Sequence, residues 1–232
     1  MDIVHNLQSV RERINRAAAN SGREPEEIKL IAVTKTHPVE MIQEALNAGI
    51  TAIGENKVQE AEAKIPFLTS SHIEFHFIGH LQSNKINKLL RLKPVLIHSI
   101  DSLPLAESLE AQLDKLGSNQ DILVEVNITN ESSKSGIDLL NTTILVNQIA
   151  TLPHLHIRGL MTIGLFDENP EATRPYFKQM KELFDKIQAM HISNVDMDYL
   201  SMGMSGDFEI AIEEGANMIR VGSAIFGARH YG

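Results

Sequence analysis

The amino-acid sequence predicts an α/β fold, a single (β/α)8 barrel of the TIM type with one extra helix in front. Three observations predict it: eight short apolar runs alternate with helical patterns, the loops between them are short, and no linker or low-complexity stretch divides the 232 residues. Strict alternation with short connections calls for parallel strands, because each crossover helix must return the chain to the same edge. Eight units over this length suit a closed barrel better than an open doubly wound sheet, the second choice. We expect one domain over residues 1–232, with 1–22 forming a helix packed on the barrel.

The elements follow in order. Ile3, Leu7, Val10, Ile14 and Ala17 or Ala18 repeat at helical spacing, and Ser21-Gly22 with Pro25 ends that run. Ile28 to Lys35, IKLIAVTK, reads as a buried strand, followed by a helix from Pro38 to a stop at Gly49. Thr51 to Gly54 is the second strand, with a short helix around Val58 to Lys64; Phe75 to Ile78 is the third, with a polar helix from Ser83 to Leu92. Val95 to His98 is the fourth, and Asp101 or Ser102 can cap the helix Leu103 to Leu116 that Gly117 closes. Ile122 to Val126 is the fifth, followed by a polar loop Asn127 to Gly136 and a helix from Leu139 to Thr151. Leu155 to Met161 is the sixth, with an insertion-like loop Phe166 to Pro170 and a long helix Thr173 to Ala189. Met197 to Leu200 and Met218 to Val221 complete the set, with SMGMSGD and a helix Phe208 to Glu214 between them.

Composition narrows the function. A formal net charge of -9 argues against nucleic acid or an anionic membrane surface as partner, since those call for clustered Lys and Arg. The chain has no cysteine, which excludes disulfides, thiolate catalysis and iron–sulfur clusters and fits a reducing compartment. The opening stretch mixes acid and base without an apolar run, so we read neither signal peptide nor membrane span and expect a cytoplasmic protein.

Lys35 is the residue to explain. A lysine ending a core strand either reaches solvent past the sheet or is held for chemistry, and spacing alone leaves both open. In a barrel the site forms at the carboxyl ends of the strands, with phosphate commonly held by the loops after the seventh and eighth. Those loops are Ser201-Met202-Gly203-Met204-Ser205-Gly206 and Gly222-Ser223, rich in small residues, hydroxyls and backbone N–H groups before a helix start. Arg220, between Ile219 and Val221, needs an acceptor if it faces inward; a salt bridge on the outer face is the equal alternative. An amine, a second cation and an anion cradle together describe a pocket for a phosphorylated aldehyde, and pyridoxal 5'-phosphate has all three handles.

Other constellations carry less. His72, His76 and His80 sit at spacing four in a strand-like region broken by Gly79, and His154 and His156 alternate without an obvious third ligand, so we expect no metal site. Glu209, Glu213 and Glu214 read as a solvated helix face. Walker, GxGxxG and GxSxG motifs are missing from the sequence.

Several long strings resemble one known family. They are AVTKTHP (Ala32 to Pro38), IGENKVQE (Ile53 to Glu60), FHFIGHLQSNK (Phe75 to Lys85), SKSG (Ser133 to Gly136), RGLMTI (Arg158 to Ile163) and LSMGMSGDFEIAIEEGANMIRVGSAIFGAR (Leu200 to Arg229). They resemble the pyridoxal phosphate homeostasis proteins over nearly the whole chain. The resemblance implies a barrel of the alanine racemase type, Lys35 as the Schiff-base lysine and Asn56 beside the cofactor. It further implies Ser201, Ser205, Gly222 and Ser223 at phosphate-binding positions and Arg220 facing the pyridine nitrogen. The residue after Ile78-Gly79 is often proline in that family and is His80 here, so the family's loop geometry and any shared role of that residue do not carry over, while the cofactor site does.

An arginine at the ring nitrogen disfavours protonating it, which makes the ring a poor electron sink. Racemases of this fold add a second domain and a partner subunit's tyrosine, whereas this sequence runs out at Gly232 just past the barrel. We therefore expect little or no racemase, decarboxylase or aminotransferase turnover and assign no catalytic residue. The expected function is to hold or deliver pyridoxal phosphate and so keep vitamin B6 and amino-acid pools in balance. PLP-dependent apoenzymes are the expected recipients, and a monomer without nucleic-acid or membrane partner is the expected form. Two alternatives stay open: a weak PLP-dependent amino-acid racemase, and a cofactor-free Schiff-base aldolase acting on a phosphosugar through Lys35.

Overall fold

Apolar side chains at helical spacing fold residues Ile3–Asn20 into α1, whose first turn is capped by Asp2, its Oδ1 accepting from the amide of His5 at 2.9 Å. One face of α1, Ile3, Leu7, Val10, Ile14, Ala17 and Ala18, is buried. The computed structural model describes residues 2–69, 72–131, 134–165 and 167–227; Ser133, Ala228 and Arg229, which belong to strings quoted above, and Ser132 and Phe166, from the loops named above, lie outside the described residues.

The chain then alternates: β1 (Lys29–Val33), α2 (Val39–Asn47), β2 (Ala52–Glu55), α3 (Val58–Lys64), β3 (Glu74–Phe77), α4 (Ile86–Arg91), β4 (Leu96–Ile100) and α5 (Leu103–Leu116). It continues with β5 (Gln120–Asn127), β6 (Ile137–Asp138), α6 (Thr142–Ile149), β7 (Leu155–Thr162), α7 (Arg174–Ala189), β8 (Val195–Ser201), α8 (Phe208–Glu213), β9 (Met218–Val221) and α9 (Ser223–Phe226). Every pairing is parallel; the order β4-β3-β2-β1-β9-β8-β7-β5 closes because β4 also pairs with β5, which rules out the open sheet. Helix α1 packs on α8, α9 and α2, outside the barrel wall.

Two cores result. Between strands and helices lies the large apolar shell; inside the barrel Ile31, Ala52, Leu96, Leu123, Met161 and Met218 form a layer, with Tyr199 against it. Side chains two residues further along the same strands point into the barrel above that layer. No helix among the described residues is long and apolar enough to cross a membrane.

The structure departs from the sequence reading in local ways. β1 stops at Val33 rather than Lys35, because the chain turns there: the amide of His37 bonds to the carbonyl of Thr34, and Thr36 takes φ 67°. Lys35 therefore projects from a turn. Residues 139–141 are not helical; β6, a two-residue strand on the outer edge of β5, precedes α6 there. Ser102 takes the N-cap position of α5 without a side-chain bond. Glu209, Glu213 and Glu214 are not merely solvated. Glu209 pairs with Arg13 and Arg16, while Arg174 binds Glu213 and Glu214 at 2.8 Å each, which ties α1 and α7 to α8 and its C-terminal end. In β7, Gly159 at φ 139° has no room for a side chain, since a Cβ would lie 1.9 Å from the carbonyl oxygen of Tyr199. The β7–β8 register shifts between Ile157 and Gly159.

Candidate functional site

A cavity of about 510 Å³ opens at the carboxyl ends of the strands, within the range of small-molecule sites. Lys35, Arg220, Ser205, Gly222 and Ser223 line it, so five of the seven expected binding residues meet in one place. Asn56 and Ser201 lie outside its lining.

Lys35 owes its place to the turn that carries it, and that turn is clamped on both sides. Lys64, at the end of α3, donates to the carbonyl of Thr34 at 3.0 Å, to Glu55 at 2.9 Å and to Glu60 at 3.0 Å. The hydroxyl of Thr34 donates to Glu55 at 2.6 Å, and the amide of Thr36 to Glu60 at 2.8 Å. Thr36 sits in left-handed backbone that non-glycine residues seldom adopt, so the bond from its amide offsets a conformational cost. Glu55 is fully buried, which pushes its carboxyl pKa up against the opposing bonds from Thr34 and Lys64.

Arg220 faces inward, which decides between the two readings of that cation. It is 4% exposed, and its guanidinium donates to the hydroxyl of Ser201 at 2.7 Å and to the carbonyl of Thr162 at 2.8 Å. Burial pulls its pKa down to about 10, opposed by the charges of Glu125 and Asp207. Ser201 is wholly buried and spends its oxygen on Arg220, so its place in this structure is behind the arginine.

The cradle is visible in the backbone. The amides of Gly222 and Ala224 both point at the hydroxyl oxygen of Ser205, at 3.2 Å each, so three polar groups from two loops converge on one spot. Such convergence suits an anionic oxygen. Asn56 follows β2, and its Oδ1 is buried without a hydrogen-bond partner, an acceptor in want of a donor.

Sequence reasoning gave no role to several lining residues: His37, Leu165, Asp167, Glu168 and Asp207. The ring of His37 stacks on Phe226 with centroids 4.8 Å apart. Asp167 and Glu168 belong to the insertion-like loop, which forms a wall of the cavity. Burial raises the pKa of Asp207, which accepts from the amide of Met204 at 2.6 Å. Among the described residues no group of three or more His, Asp or Glu side chains is arranged to hold a metal ion.

Glu125, buried in β5, has its carboxyl pushed up from 4.5 to about 7, chiefly by burial and then by Asp101, with Arg220 opposing. A folded value above the unfolded one means that the associated stability is full below about 4.5 and is lost as pH rises through about 7. Glu125→Gln is expected to abolish that loss, gaining roughly 2–3 kcal/mol at pH 8 relative to pH 5 in urea unfolding. Equal effects at both pH values would contradict the assignment.

The chain is similar to known proteins over nearly its whole length. The family description "Alanine racemase, N-terminal domain" matches residues 5–230. The pyridoxal phosphate homeostasis protein of Aquifex aeolicus is 44% identical over 231 residues, covering 100% of both chains, and that of Escherichia coli K12 is 42% identical, covering 99% of this chain and 98% of its relative. Among solved structures, PipY of Synechococcus elongatus with PLP bound is 34% identical at a TM-score of 0.84, covering 97% of this chain and 100% of that one.

Proposed function

The chain belongs to the alanine racemase N-terminal-domain family and, within it, to the pyridoxal phosphate homeostasis proteins, and on that premise we propose that it binds pyridoxal 5'-phosphate and regulates intracellular vitamin B6 and amino-acid balance by holding or delivering it. The observation that carries this reading is the meeting in one cavity of a lysine amine, a buried guanidinium and amides converging from two loops. These residues fit the group: an aldehyde, an aromatic nitrogen and a phosphate need an amine, a donor and a nest of N–H groups.

When bound, the cofactor supplies an aldehyde that an amine can capture with loss of one water. Lys35 is the amine, presented by a turn that Glu55, Glu60 and Lys64 hold still. Gly222, Ala224, Ser205 and Ser223 would hold the phosphate, Asn56 would offer an acceptor, and Arg220 would donate to the ring nitrogen. A buried guanidinium beside that nitrogen would keep its own charge and disfavour a second positive charge there. That electrostatics supports a protein without significant turnover, despite the fold it shares with racemases. PLP-dependent apoenzymes are the proposed recipients and a monomer the proposed form, and the lack of cysteine suits a reducing compartment such as the cytosol.

The test is uptake without turnover. Purified protein mixed with pyridoxal phosphate is expected to bind one equivalent with a new absorption band, and to racemise or exchange the α-proton of no amino acid above the rate of free cofactor. Sustained exchange with any amino acid in deuterated buffer would instead establish the racemase alternative.

A further inference from the structure

Behind Arg220 a hydrogen-bonded chain crosses the interior of the barrel. Arg220 bonds Ser201 Oγ at 2.7 Å, Ser201 Oγ meets His98 Nδ1 at 3.1 Å, His98 Nε2 meets His76 Nδ1 at 3.0 Å, and His76 Nε2 meets Glu74 at 3.4 Å. Glu74 ends the chain in an ion pair with Lys29, near the amino ends of the strands. The links come from four strands, β9, β8, β4 and β3. His98 and Ser201 are fully buried and His76 nearly so.

With both imidazoles neutral, the sense of the bonds follows from the carboxylate end: Glu74 only accepts, so His76 holds its proton on Nε2, its Nδ1 accepts from Nε2–H of His98, and Nδ1 of His98 accepts from the Ser201 hydroxyl, whose oxygen accepts from the guanidinium. Both imidazoles are neutral in this pattern, which agrees with burial, the chief cause of their lowered pKa values, while the His76 bond and Lys29 hold Glu74 down at about 2. Bonds donated in one sense polarise one another, so the negative charge of Glu74 strengthens the Ser201 oxygen as an acceptor for Arg220. Apolar residues would fill the same space without desolvating two imidazoles, so simple packing does not account for the arrangement.

We propose that Glu74, His76, His98 and Ser201 are positioning residues for Arg220: the chain fixes the guanidinium from behind, so that the N–H groups it does not spend on Ser201 and Thr162 meet the ring nitrogen of pyridoxal phosphate. This inference rests on the function proposed above. It specifies which feature of the ligand the chain serves, the pyridine nitrogen alone.

The experiment compares the full-length protein with His98→Leu, His98→Asn and Glu74→Gln, measuring affinity for pyridoxal phosphate and for the analogue with C–H in place of the ring nitrogen. In His98→Leu the preference for pyridoxal phosphate over the analogue is expected to shrink about tenfold, with the analogue's own affinity nearly unchanged. His98→Asn should fall between, because its amide oxygen can accept from Ser201 without reaching His76. Glu74→Gln changes a side chain that is 41% exposed, where folding is least at risk, and should shrink the preference by a smaller factor in the same direction. A preference constant within twofold in all three variants, whether or not both affinities drop together, would overturn the proposal while leaving cofactor uptake on Lys35 standing. Failure of the unmodified protein to take up pyridoxal phosphate would overturn the proposal together with the function it rests on.

Discussion

Replacing Lys35 with alanine is expected to weaken binding of pyridoxal phosphate at least about 100-fold, because the covalent link is lost while the phosphate and ring-nitrogen contacts remain. The substitution should leave the fold intact. Lys35 projects from a turn into the cavity, and the bonds that hold this turn run through the backbone of Thr34 and Thr36. Equilibrium dialysis of the folded variant reads the effect. Affinity within threefold of the unmodified protein would mean that the amine contributes little, and that the cavity is a phosphate site only.

The second large effect concerns stability. Lys64→Met should destabilise the protein by about 3–5 kcal/mol, since it strips a buried carboxylate of its charge partner. The side chains of Lys64 and Glu55 are 12% and 1% exposed, so solvent screening gives little relief. Glu55 already has one oxygen, Oε2, without a partner. Without Lys64 its carboxyl is pushed up further by burial; a folded pKa above the unfolded one costs stability as pH rises through it. The loss should therefore be larger at pH 8 than at pH 5 in urea unfolding. The same variant frees the carbonyl of Thr34 and loosens the Lys35 turn, so cofactor affinity should fall as well. A loss under 1 kcal/mol at both pH values would show that the clamp is a surface pairing of little consequence.

The parallel α/β class was legible because apolar periodicity switches eight times between strand and helix, whereas closure rested on the count of eight units and is settled by the pairing of β4 with β5. Lys35 was legible as an apolar run ending in a cation, and Arg220 as a cation within one, though the face Arg220 takes was not. Its parity with Met218, which enters the inner layer, settles that only once the closed register is known. The chain behind Arg220 escaped for the same reason. His76 and His98 stand 22 residues apart and His98 and Ser201 103 apart, so their meeting depends on neighbouring and opposite strands of a closed sheet. Grouping His76 with His72 and His80 by spacing looked along the strand, whereas its partner His98 lies on the neighbouring strand β4. The arginines facing Glu209, Glu213 and Glu214 were hidden likewise, since Arg13, Arg16 and Arg174 reach them from elements distant in sequence. β6 pairs through two residues only, too few to leave a periodic signal.

The central claim is that this cavity captures an aldehyde on Lys35. Protein loaded with pyridoxal phosphate, reduced with borohydride and mapped by peptide mass, tests it most directly. The account predicts loss of the absorption band and a single pyridoxyl group on the peptide carrying Lys35. A pyridoxyl group on Lys64, Lys134 or another lysine with Lys35 unmodified, or no adduct at all, would contradict it.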